Sequence, residues 1–142
     1  MTEISDLRSF IHALRKSNQL AEISKKVSLD HEIADVTASL SRSGNRAALF
    51  TNVKGTNLSI FAGGVASHAR TAVALGCESQ EIIDVMGEVL EIPNGKPPIQ
   101  VESAVWHENC LTGEEVDIGL LPIPQHSRGD GGAFITGAVS VT

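Results

Sequence analysis

Between residues 117 and 136 the chain reads DIGLLPIPQHSRGDGGAFIT, and two prolines here limit the fold more than any other residues. Pro122 and Pro124 each fix φ and remove a backbone donor, so residues 120–125 must run extended and cannot lie inside a sheet. Gly129, Gly131 and Gly132 follow, open to φ values closed to other residues, and Asp130 among them can bond the backbone amides that come after it. Two readings stand side by side. One is a tight surface turn; the other is a loop that brings bare N–H groups close to an anion or a cofactor.

The rest of the chain is of ordinary globular composition. Its 142 residues suit one domain that buries roughly two thirds of its unfolded surface. Hydrophobic residues make up 42% and charged residues 20%, which excludes a disordered or fibrous chain, and 13 glycines imply many turns. A formal net charge of −6 with 11 basic residues argues against a nucleic-acid partner, which needs clustered Lys and Arg. Cys77 and Cys110 stand far apart without metal-ligand spacing and are expected as reduced thiols. The opening MTEISDLRSF has no basic region ahead of an apolar core, and no apolar run reaches membrane-spanning length, so a cytoplasmic protein is expected. Arg128-Gly129-Asp130 spells an adhesion tripeptide, read here as chance.

In chain order, Leu7, Phe10, Ile11 and Leu14 predict an amphipathic helix capped by Ser5 or Asp6, with Arg15 and Lys16 at its far end. Residues 21–27 read as a strand. Asp30 is expected to cap a second helix with Ile33, Val36 and Leu40 on one face and Gly44 as its stop. Residues 47–53 and 58–65 predict two strands joined at Lys54-Gly55-Thr56-Asn57. Gly63-Gly64 ahead of a Ser67-capped helix superficially suggests a phosphate loop but lacks its Lys and full glycine spacing. Gly76 ends that helix, and Ser79 opens another with Ile82, Ile83, Val85, Met86, Val89 and Leu90 as a broad apolar face.

Residues 92–98, IPNGKPP, mark the boundary, because adjacent prolines and an Asn-Gly turn cannot continue a helix or a central strand. Strands are expected over residues 99–107 and 134–142, with a turn at Thr112-Gly113. The second of these runs to the last residue without a cap, as if cut. The five histidines, among them His31, His107 and His126, show no metal spacing, and no Ser-His-Asp set stands out. Glu114, Glu115 and Asp117 cluster beside the Gly-rich loop, as a solvated turn would. Composition and periodicity thus give an α/β unit over residues 1–91, a linker over 92–98 and the start of something β-rich over 99–142.

Five stretches in the same order as in a known family carry a resemblance. They are DLRSF at residues 6–10, ALFTNVKG at 48–55, RTAVALG at 70–76, EVDIGLLPI at 115–123 and DGGAFIT at 130–136. Together they resemble the N-terminal domain of the UbiD family, reversible decarboxylases that use prenylated FMN, and the entry into its flavin-binding domain. The resemblance implies an α/β domain followed by the first part of a β-rich split barrel. It also implies a non-oxidative carboxy-lyase acting on an aromatic or α,β-unsaturated acid, with prenylated FMN and a divalent metal such as Mn²⁺.

On that resemblance Gly131, Gly132 and Thr136 lie near the cofactor. The family's metal and phosphate ligands (Asn, His, Glu) and its Glu-Arg-Glu proton network fall beyond the position of Thr142, so no catalytic or metal residue is assigned and the chain alone is expected to hold no cofactor. The partners implied are a small carboxylic acid in the full enzyme and either a homo-oligomer or a companion polypeptide. A contrasting expectation is a non-catalytic fragment or accessory subunit that acts through protein contact.

Overall fold

The computed structural model describes residues 4–91, 97 and 99–135. Helix α1, Leu7–Lys16, starts where the Asp6 carboxylate accepts from Ser9 N at 2.7 Å and Ser9 Oγ accepts from Asp6 N at 3.0 Å. These reciprocal bonds satisfy amides that the first turn leaves without partners. Strand β1, Leu20–Ile23, follows, and α2, Glu32–Gly44, crosses to β2, Ala47–Phe50, which pairs parallel to β1 with Leu20 opposite Ala47. A hairpin returns as β3, Ile60–Ala62, antiparallel to β2 with Phe50 opposite Ile60, giving the sheet order β1-β2-β3. Then come α3, His68–Leu75, and α4, Ile82–Glu91.

The central strand divides the core by its alternation. Ala48 and Phe50 face α2 together with Val27, Ile33 and Val53, all buried. Ala47 turns the other way, toward Phe10 and Leu14 of α1 and toward Leu20, with Phe61 and Val73 packed at the margin. Helices therefore cover both faces of a sheet whose middle strand is short and apolar. This is the mixed α/β fold expected from the sequence.

Several expected boundaries move. The residue ahead of α2 is His31, not Asp30; it sits at φ 66° and makes no side-chain cap bond. Gly44 is the last helical residue, and the left-handed stop is Asn45 at φ 47°, a conformation Asn tolerates better than most side chains. The strand expected over 21–27 ends at Ile23, with Val27 making a separate parallel bridge to Val53. Ser67 does cap α3, accepting from Arg70 N at 3.3 Å, and Gly76 ends it at φ 70°. The phosphate-loop look-alike resolves into packing: Gly63 turns at φ 71°, and a Cβ on Gly64 would meet the Phe61 ring at 2.6 Å.

Arg70 ties these pieces together from a fully buried position. Its Nε donates to Gly63 O at 2.9 Å and its Nη1 donates to the carbonyl of Asn45, so α3 is fastened to the ends of β3 and α2. Burial lowers its pKa from the ordinary arginine value.

The larger correction lies C-terminal to α4. The strand expected over 99–107 is replaced by a 3-10 turn at Val105–Glu108, and two more turns follow at Gly113–Glu115 and Ile118–Leu120. Ile99 and Val101 are 89% and 54% exposed, so alternation met no layer that could bury it. Thr112 and Gly113 do make the expected turn, with Gly113 at φ 58°. The second expected strand, over 134–142, lies outside the described residues from 136 onward, as does most of the 92–98 linker.

Candidate functional site

The Pro- and Gly-rich stretch forms a strap that returns to the α/β unit. Asp117 opens it by accepting from Gly119 N at 2.7 Å, which sets the turn at Ile118–Leu120. Past the prolines, Gln125 N donates to Leu29 O at 3.0 Å and Gln125 O accepts from His31 N at 2.9 Å, forming the parallel bridge between Asp30 and Gln125. A single ladder step thus anchors the strap to the residues just ahead of α2, at the sheet's margin where proline is tolerated.

Beyond the bridge, Ser127 N donates to Asp130 Oδ2 at 2.7 Å and Asp130 N donates to Ser127 O at 3.2 Å. The Asp130 carboxylate therefore binds the amide before it, not those after it as expected. Phe134 N reaches Pro124 O at 3.3 Å and closes the loop. Within it the His126 ring lies on the Phe134 ring, centroids 4.9 Å apart and tilted by 36°.

Gly129, Gly131 and Gly132 are exposed, and nothing stands within 4 Å of where a Cβ would sit on any of them. None of the three has a positive φ, which corrects the expectation that they serve the turn through left-handed geometry. Their contribution is open backbone: among the described residues no acceptor meets the N–H of Gly131 or Gly132. Thr136 lies outside the described residues.

Sequence reasoning left His31 and His126 without a role, and the bridge brings both to the strap's anchor. His31 Nε2 lies 3.0 Å from Asp30 Oδ1, and the Nδ1 atoms of His31 and His126 are each buried without a partner. No local pattern could have shown this, because residues 30 and 125 meet only through the tertiary fold. Among the described residues no group of three or more His, Cys, Asp or Glu is arranged to hold a metal. The described part of the strap thus fits the backbone side of a flavin site and lacks the donor set of a metal–phosphate centre, and no chemical step is derived through either group. Cys77 and Cys110 are free thiols, and no helix among the described residues is long and apolar enough to cross a membrane.

This α/β fold is one found in UbiD-class enzymes. The enzyme HmfF from Pelotomaculum thermopropionicum, solved in complex with FMN, matches with a TM-score of 0.74 at 25% identity over 89% of this chain and 28% of its own. Vanillic acid decarboxylase from Sedimentibacter hydroxybenzoicus in open form, with truncated ShVdcD, gives 0.75 at 25% identity over 90% of this chain and 29% of its own. Residues 11–90 match the family model described as the 3-octaprenyl-4-hydroxybenzoate carboxy-lyase N-terminal domain, and the chain belongs to that family, the UbiD family. A phenolic acid decarboxylase of Streptomyces sp. (strain D7) is 33% identical over 144 residues, covering 96% of this chain and 30% of that protein. The chain thus spans about 30% of the length of the curated relative it matches.

Proposed function

We propose that this chain is the N-terminal portion of a UbiD-class carboxy-lyase that reversibly and non-oxidatively decarboxylates an aromatic or α,β-unsaturated acid. The observation that carries the reading is a match running through nearly the whole chain, strap included, to a phenolic acid decarboxylase at 33% identity. An FMN complex among the structural relatives supports flavin use. Prenylated FMN, when bound, supplies an electron sink for the bond to the departing carboxyl group. The residues of this chain have a supporting part: the strap presents Gly131 and Gly132 backbone toward the cofactor, Thr136 follows beside it, and the α/β unit holds the strap in place through the Gln125 bridge.

On this reading residues 99–142 begin the split-barrel cofactor domain, residues 92–98 are the linker, and the metal ligands and proton-relay residues belong to a portion C-terminal to Thr142. Manganese and a cytoplasmic location are part of the same proposal. The test is reconstitution of the 142-residue chain with prenylated FMN and Mn²⁺. Gel filtration that strips the flavin, and no CO₂ release from aromatic acids, is the expected result; stoichiometric flavin retention or turnover overturns the assignment of the ligands to a later portion.

A second reading, an accessory subunit working through protein contact, is favoured by the many large apolar side chains that stand exposed, Ile83, Leu90 and Ile99 among them. The reading frame downstream of Thr142 separates the two. A continuation that carries the metal and proton-relay residues supports the enzyme, and a stop codon supports the subunit.

A further inference from the structure

α4 is apolar on more than one side. Ile82 and Val85 are half-buried, and α3 is the element packed beside the helix, whereas Ile83, Met86 and Leu90 on another face are 81%, 45% and 82% exposed. A helix that is apolar all round belongs in an interior. Gly87 falls within the outer face, with nothing within 4 Å of where its Cβ would be, although a mid-helix glycine weakens a helix relative to alanine. Helical spacing puts Asp84 and Glu91 along one border of this face.

A complementary surface adjoins it. A groove of about 480 Å³ between α1 and α3 has a floor that includes Ala13, Ala72 and Val73, exposed His12 and Lys16 at its rim, and Glu78 on the opposite wall. Ser79 also lines it, and the chain from there leads straight into α4. Charge is divided the same way along the chain: residues 71–142 hold eleven acidic and two basic side chains, residues 1–70 six acidic and nine basic. The exposed area supports a large contact. A closed monomer of 15.0 kDa exposes about 7,000 Å² by the usual scaling, and this chain exposes 11062 Å². The difference, on the order of 4,000 Å², exceeds the roughly 800 Å² that each partner commits to a standard interface.

We propose that two copies of the chain associate reciprocally, the outer face of α4 of each lying in the α1–α3 groove of the other, with Asp84 and Glu91 facing Lys16 and His12. Because the ridge begins where the groove ends, a two-fold axis near residues 78–81 makes the same contact twice and closes the assembly. The inference is independent of the decarboxylase reading.

Sedimentation velocity from low to high micromolar concentration tests it. The parent is expected to move from 15.0 kDa toward twice that mass. Leu90→Asp, Lys16→Glu and Glu91→Lys, all at exposed positions, each weaken the dimer about tenfold or more, and the Lys16→Glu/Glu91→Lys double variant recovers most of the loss. Gly87→Ala raises the melting temperature of the dilute chain while weakening the dimer. A parent that stays monomeric throughout overturns the proposal, as does a double variant whose losses add instead of cancelling. Circular dichroism confirms that each variant is folded.

Discussion

Two residues govern local order through different physics. Asp6 is fully exposed, yet the Ser9 N–H, and after it the Ser9 side chain, hold its carboxyl below the ordinary value of 3.8. A carboxyl whose folded pKa is depressed contributes stability above its unfolded pKa and loses it as pH falls through the folded one. Asp6→Ala is therefore expected to lower the melting temperature at pH 7, with the gap to the parent closing below about pH 4 as the parent carboxyl protonates; thermal melts across that range give the answer. Arg70 acts through burial: replacing it by Met strands the Asn45 and Gly63 carbonyls that it now satisfies. Urea unfolding of Arg70→Met is expected to show a loss of about 2–4 kcal/mol, and Arg70→Lys recovers little of it, since an ammonium lacks the fork that reaches both acceptors.

At the scale of elements, the strap and the sheet differ in what holds them. β2 is paired on both sides and buried, whereas the strap is anchored through the bridge of Gln125 to residues 29–31 and closed by the bond from Phe134 to Pro124. Gln125→Pro removes the N–H given to Leu29 O. Hydrogen exchange is expected to accelerate across residues 121–135, while the melting temperature of the α/β unit stays within about 2 °C of the parent, as suits a locally opening segment. Equal loss of protection in β2 would mean that the strap is part of the core. The exposed Phe134 and Ile135 also open the uncharged stretch 134–142, read from sequence as an unpaired strand. Such an edge invites pairing. Lysines at Ile135 and Val139 are expected to weaken any association made through it, visible by light scattering. The same double variant leaves the α4 contact in place, so the two routes to self-association separate cleanly; loss of the dimer here and not in the α4 variants would reject the α4 surface.

For the whole molecule, the family and the mixed α/β class were both legible in the sequence, while the second half was not. Periodicities of α1, α2 and α3, the Ser67 and Gly76 caps and the 48–55 hairpin are written in neighbouring residues, because helix and turn chemistry acts over three or four positions. The five short motifs added the family, which the match over residues 11–90 establishes. Alternation over 99–107 promised a strand and delivered a 3-10 turn, since a strand forms only where another edge accepts its hydrogen bonds. The Gly-rich loop was identified correctly as open backbone, but its positive φ values were not realised, because Ser127 and Asp130 make the turn instead. What the tertiary structure alone decided is the site's placement: Gln125 beside Asp30, His126 over Phe134, and a buried arginine satisfied by carbonyls of two distant segments. Each of these contacts joins residues that share no local pattern, and their geometry is set by which faces of the sheet the helices bury.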